Sequence, residues 1–373
     1  MAFTRTPDLI SAAYRPILFE DTRSGTGIET IRIELYIAGV KRAETYKDVT
    51  FGAFIFQFDI SALVSRFVAP FLSTKTSIFQ DLAGYEVTAN TDVMLPYYIK
   101  TIAFARNEEN ILEEVPGSEI QSGDFYAIAA APDITDITLN QYRAATANPF
   151  KLLSRLPAKI KMHVNQSAGV SYLSAGTNAV RVVFLSNIMS QTVVINPGND
   201  TGEQFVHTVS IGLRNLFAGG MSIHTGTMPT SVGNFNRYRV SVGNYAGSFT
   251  RLSDEIEFTI YPACEWGHTL HWMGTMGGAE QYTFFGSYDE GVESSGTVIE
   301  VAPKYSINST PRVNPSVAGI AKVDIQATDY IEVSEEVDFE TAKYITSVLK
   351  SPQVYYERNG VYVACVVEGN ARN

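Results

Sequence analysis

A period of two runs through this chain. Ile31-Arg32-Ile33-Glu34-Leu35-Tyr36-Ile37 alternates apolar with mostly polar residues, and the same alternation returns at 237–242, 255–260 and 322–325. Successive side chains of a strand leave on opposite faces, so such a stretch puts one face in a core and the other toward water. The runs at 180–185 and 192–195 are apolar but for Arg181 and Thr192 and predict interior strands covered on both faces. Gly, Asn, Pro and Ser gather between the strands, at 196–199, 243–247 and 274–278. Short strands punctuated by turn chemistry predict a mainly β chain built of antiparallel sandwich- or barrel-type domains.

Two short helices interrupt this pattern. Asp59 stands where an N-cap belongs, ahead of Ile60, Leu63, Val64, Phe67 and Val68 at helical spacing, with Pro70 as the stop. Near the C-terminus Glu335 and Glu336 suit the positive end of a helix dipole. Phe339, Ala342, Ile345, Val348 and Leu349 then recur on one predicted face, and Lys350 and Pro352 close the helix. Asn359-Gly360 between two β-rich runs predicts a hairpin, so the chain should end in an α+β hairpin unit.

At 373 residues the chain is long enough for two or three domains. Residues 1–155 and 287–373 are acidic, whereas 156–286 balance their charges. Divisions are therefore expected near 156–157 and after 286, giving segments 1–156, 157–286 and 287–373, with the alternative that the first and last segments share a sheet. The two cysteines, Cys264 and Cys365, sit in apolar stretches and read as buried thiols rather than a disulfide framework. No apolar run approaches the ~20 residues a spanning helix needs, and the first residues lack the apolar core of an export signal. These features predict a soluble chain made in a cytoplasm, without membrane insertion.

The net charge of −11 argues against a sequence-independent nucleic-acid binder, which needs a surplus of Lys and Arg on its contacting face. Only 18% of residues are charged, as suits a subunit that buries much of its exterior against copies or partners. Cys264, His268 and His271 form a C-x3-H-x2-H run. On a strand, however, the two histidines face opposite sides, and no second ligand pair accompanies them, so no metal is expected. Asp200-Thr201-Gly202 matches an aspartic-protease tripeptide that is absent a second time, although that chemistry needs two carboxylates sharing a proton. Glu108-Glu109 and Glu113-Glu114 read as a solvated face, and Gly25-Thr26-Gly27 lacks the Lys-Ser/Thr of a phosphate loop. No catalytic residue and no cofactor are expected.

The aromatic stretch 266–285 holds both tryptophans, with Trp266, Trp272, Tyr282, Phe284 and Phe285 around a Gly277-Gly278 pair. These five residues form a candidate interaction surface, because exposed rings stack on sugars and anchor protein contacts. The alternative is a hairpin whose rings pack into the sandwich, with the glycines permitting a tight crossing.

Four blocks occur in order: Ala13-Tyr14-Arg15-Pro16-Ile17, the run 58–64, the run 271–286, and the C-terminal helix leading into Ser351-Pro352-Gln353-Val354-Tyr355. Together they resemble virion structural proteins, of tail or baseplate type, from tailed bacteriophages that infect Bacteroidetes. In that group an aromatic and an acid follow the Gly-Gly pair, where this chain has Ala279-Glu280. The resemblance implies a non-enzymatic β-rich subunit that assembles with copies of itself and other virion proteins into a ring or tail tip, made in the host cytoplasm and residing in the virion. Two alternatives stay open at this point: a receptor- or carbohydrate-binding phage protein using Trp266, Trp272 and Tyr282, and a head-associated decoration or connector subunit.

Overall fold

The structure is a computed structural model that describes residues 3–23, 27–49, 55–68, 87–90, 93–131, 139–145, 147–166, 168–173, 178–196, 206–217, 222–262, 267–301, 319–351, 353–358 and 361–369. Strands dominate and helices are few and short, so the chain is mainly β with largely antiparallel sheets. It divides into two compact units, Met1–Thr283 with Val337–Asn373, and Phe284–Glu336.

In the larger unit, Ile28–Ile37 lies between Val40–Asp48 and Met94–Arg106 in a seven-stranded sheet, antiparallel to both. Ile31, Ile33 and Leu35 are buried, as the alternation requires. A three-stranded sheet of Phe3–Arg5, Leu18–Thr22 and Ile55–Asp59 supplies rings to the same core. Phe19 stacks on Phe58 at 5.9 Å and meets Phe125 of the larger sheet edge-on at 5.5 Å. A buried ion pair reinforces this junction. Arg23 Nε donates to Asp21 Oδ2 at 2.8 Å, and its Nη2 reaches Thr101 Oγ1 at 2.7 Å on the neighbouring sheet.

A second seven-stranded sheet runs in the order Lys159–His163, Ile256–Tyr261, Arg237–Tyr245, Asn178–Leu185, Ser190–Asn196 and Ser222–Thr225, with Phe249–Arg251 pairing on Arg237–Tyr245. The expectation that 180–185 would be covered on both faces is corrected here. Val180, Val182 and Phe184 are buried, but Arg181, Val183 and Leu185 are half-exposed, so this interior strand has one core face. Both faces are covered instead in Gly169–Leu173 and Val206–Ser210, which pair in a three-stranded sheet with Val87–Asn90.

A four-stranded sheet joins Ala279–Phe284, His268–Met273, Val354–Arg358 and Val361–Cys365 in that order. Arg358 pairs with Val361, so the C-terminal hairpin forms, while Asn359-Gly360 lies outside the described residues. Strands on either side of residue 156 therefore share a sheet in one place, and strands of the central and last segments share one in another.

Both helices form, shorter than their apolar stripes. The first spans Ser61–Val64 with Ile60, not Asp59, at its N-cap; Asp59 ends the preceding strand, and its Oδ1 accepts from Ser61 N at 2.8 Å and from Ile17 N at 2.9 Å, which ties the helix start to a strand. Phe67 stays 37% exposed, outside the buried stripe of Ile60, Leu63, Val64 and Val68. The C-terminal helix is Phe339–Ile345, continued by a 3-10 turn Thr346–Lys350. Its cap is Asp338, whose carboxylate accepts from Thr341 N. The buried face is Thr341, Tyr344 and Val348, whereas Phe339 points outward at 71% exposure, because a polar network rather than an apolar core receives the helix. Pro70 and Pro352 lie outside the described residues. A five-residue helix at Leu213–Phe217 was not anticipated.

The smaller unit is one long hairpin. Ser287–Val301 pairs antiparallel with Gly319–Ser334, with a bulge between Ser295 and Thr297.

Candidate functional site

The aromatic segment folds as a hairpin turned through glycines. Gly274 N donates to Gly278 O at 2.8 Å, and Gly277 takes a left-handed φ of +80° that a side chain would strain. Gly274 has a different reason. A Cβ there would stand 2.4 Å from Glu280 Cδ, so only glycine lets that carboxylate fold back over the turn.

Glu280 has no exposed surface and is the centre of a polar network. Its Oε1 accepts from Arg155 N at 2.8 Å, and its Oε2 accepts from Ser347 Oγ at 3.1 Å. Ser347 Oγ in turn accepts from Trp272 Nε1 at 3.0 Å. Burial pushes the Glu280 carboxyl up to about 7, against the pull of these donors and of the Arg155 guanidinium. Beside it, Tyr344 Oη accepts from Gln281 N at 3.1 Å and donates to Gln281 O at 3.0 Å. Burial first, and the Glu280 charge second, raise the Tyr344 phenol well above its ordinary value. Side-chain hydroxyls bind much of the Ala279–Phe284 backbone: Ser154 Oγ donates to Ala279 O, and Ala279 N donates to Ser171 Oγ.

A cavity of about 350 Å³ opens against this network. One wall is the Arg155–Ala158 segment, the other is the C-terminal helix with its 3-10 extension, and Thr275 of the glycine turn lies between. Arg155, Lys343 and Lys350 line it, with Glu340 as the lining acid among the described residues. Arg155 Nη1 stands 3.4 Å from Thr275 Oγ1.

The candidate aromatic surface is corrected by this geometry. Trp272 is fully buried and Tyr282 is 1% exposed, so neither ring can stack on a ligand from outside. Trp272 packs against Tyr344 at 5.2 Å between centroids. Phe284 and Phe285 are half-buried, and Trp266 lies outside the described residues. Burial decides for the core at Trp272 and Tyr282.

His268 and His271 occupy one strand three residues apart and do not converge. His268 Nδ1 bonds Tyr356 Oη at 2.8 Å, whereas His271 Nε2 meets Glu357 Oε2 at 2.7 Å on the other face. Cys264 and Asp200-Thr201-Gly202 lie outside the described residues, and no metal-binding group of three ligands occurs among the described ones. The network residues Arg155, Glu280, Tyr344 and Ser347 come from three regions of the chain. Their one legible sign was an acid set in the otherwise uncharged run 276–284.

No family model matches the chain, and no curated protein matches it. Among solved structures, it is similar to one from work on host cell surface retention of a 1.5-MDa bacterial ice-binding adhesin, at 10% identity and a TM-score of 0.19, covering 96% of this chain and 91% of that one. A second is E. coli alpha-2-macroglobulin in its native conformation, at 7% identity and a TM-score of 0.18, covering 94% of this chain and 21% of that one. Superpositions this loose carry no argument about fold or function.

Proposed function

We propose that the chain is a structural subunit of a tailed-bacteriophage virion, in the tail or baseplate, that acts by assembling with copies of itself and with other virion proteins. On this proposal it is not an enzyme, holds no cofactor, and is made in the host cytoplasm before joining the particle. The order of the sequence blocks motivates the proposal, and the Phe284–Glu336 unit is the observation that carries it.

That unit is a two-stranded sheet with both outer edges unpaired among the described residues. Its 15-residue strand spans about 50 Å. A hairpin of two strands is at best marginally stable in water and needs a further layer to cover its apolar face. The register places Tyr288, Val292, Ile331 and Val333 on one face together with Glu290 and Asp329, with Tyr288 39% and Val292 64% exposed. Asp289, Glu293 and Glu332 occupy the opposite face with Tyr330. Exposed apolar side chains among acids on a long ribbon are suited to contact with a neighbouring subunit, and head-to-tail contacts close into rings where their rotation closes.

Mass spectrometry of purified virions tests the proposal. The chain is expected among the particle proteins, with its density in the tail of a particle reconstruction. Absence from purified virions would overturn the proposal, and density in the head would replace tail by head.

A further inference from the structure

We propose that the outer face of the second seven-stranded sheet docks the acidic face of the Phe284–Glu336 ribbon of another copy. This contact rests on the self-assembly reading and names the surfaces that join the copies. The chain carries a net charge of −11, yet Lys159, Arg181, Arg237, Arg239 and Arg251 share one face of this sheet with two carboxylates among the described residues, Glu255 and Glu257. Arg239 bridges both acids, with Nε 2.7 Å from Glu257 Oε2 and Nη1 3.5 Å from Glu255 Oε1. Arg181 Nη2 reaches Glu255 Oε2 at 3.2 Å, and Arg237 Nη1 reaches Glu257 Oε1 at 3.5 Å. Two carboxylates thus serve three guanidinium groups, with Lys159 and Arg251 in addition, even without Lys161, which lies over the Tyr261 ring. The hydrogen bond from Arg239, against partial burial, and then the charges of Arg239, Arg237 and Lys159 hold the Glu257 carboxyl below its ordinary value.

The ribbon supplies the opposite sign at a matching spacing. Asp289, Glu293 and Glu332 are exposed on one face, and 284–293 and 328–336 contain no Lys or Arg. Asp289 and Glu332 are cross-strand partners, and Glu293 lies about 13 Å further along the strand from Asp289. On the sheet, Lys159 is level with Glu257 and Arg239, whereas Arg251 is level with Gly243, again about 13 Å along from Arg239. The ribbon is two strands wide, so its acids fall within a field of cations spread over adjacent strands of the sheet. Complementary charge of this kind fixes orientation and register. Because the two surfaces differ, the contact is head to tail, as a ring requires.

Sedimentation velocity of the purified full-length chain over a concentration series tests the contact. Association is expected at about 0.05 M salt and should be lost at about 0.5 M, because exposed charges are screened. Lys159→Glu with Arg251→Glu, and separately Asp289→Lys with Glu332→Lys, all at exposed positions, should each weaken association by roughly tenfold or more. An equimolar mixture of the two variants should restore it, since each then meets the sign it needs on the other. A chain that stays monomeric at every concentration, or a mixture no better than its components, overturns the proposal. So does binding of a DNA oligonucleotide that the sheet reversal abolishes while self-association is unchanged, which would give the face to nucleic acid. Circular dichroism of each variant separates lost contact from lost fold. Normal incorporation of both variants into particles would remove this contact and leave the assembly reading standing, whereas that reading fails by absence of the chain from purified virions.

Discussion

Ser347 Oγ donates to Glu280 Oε2 at 3.1 Å while accepting from Trp272 Nε1 at 3.0 Å. Through that hydroxyl the C-terminal 3-10 turn, the aromatic hairpin and the segment at Arg155 become one polar unit inside a β protein. Its behaviour is set by one carboxyl with no access to solvent.

The pH dependence of stability should report that carboxyl. Its folded value is raised to about 7, above the unfolded carboxylate range, so the folded state holds the proton more tightly. The contribution is then fully present below the unfolded value and is lost as pH rises through about 7, amounting to roughly 3 kcal/mol. Denaturant unfolding of the parent chain should show stability falling from about pH 5 to about pH 8, and Glu280→Gln should flatten that fall. Parallel profiles for the two proteins would refute the assignment.

Gly274→Ala places a methyl 2.4 Å from Glu280 Cδ. The carboxylate would have to leave its donors, with an expected loss of about 2 kcal/mol. Combining it with Glu280→Ala should cost less than the sum of the two single changes, since each removes the reason for the other's penalty. An additive double-mutant cycle would show that the two residues do not compete for space.

Removing Arg23 should be among the most damaging single changes. Arg23→Met leaves Asp21 buried without its cation and is expected to cost about 4 kcal/mol, while Asp21→Asn with Arg23→Met should recover part of the loss. Chemical denaturation of the three proteins measures this. Equal stability of the single and double variants would mean that the pair's charge is not what matters.

The hairpin face separates folding from assembly. Tyr288 and Val292 are exposed on one side of the ribbon, so Tyr288→Glu with Val292→Glu should change stability by only about 0.5 kcal/mol. The same pair of changes should prevent incorporation into particles in a complementation assay scored by mass spectrometry. Normal incorporation would remove the hairpin face from the assembly proposal.

Particular elements show how far the sequence could be read. The alternation at 31–37 gave both the strand and its buried face, because an isolated period of two has one physical solution when one side is apolar. The C-terminal helix was legible as an element but not as a face. Its apolar stripe predicted Phe339 inward, yet Tyr344 is the ring taken inside, because it satisfies both backbone groups of Gln281. The aromatic segment was legible as a hairpin. Its glycines read as places of close approach, but what approached them, the Glu280 carboxyl at one and the Ala129 carbonyl at another, belongs to no local pattern.

Local chemistry alone thus settled the β character, the glycine turn at 274–278 and the existence of both helices, since each depends on residues within a few positions of one another. Tertiary structure decided which rings are inside and where cations gather. Residues 155, 280 and 347 become neighbours only when distant segments pack, and the cost of burying a charge is set by that packing rather than by the residue itself.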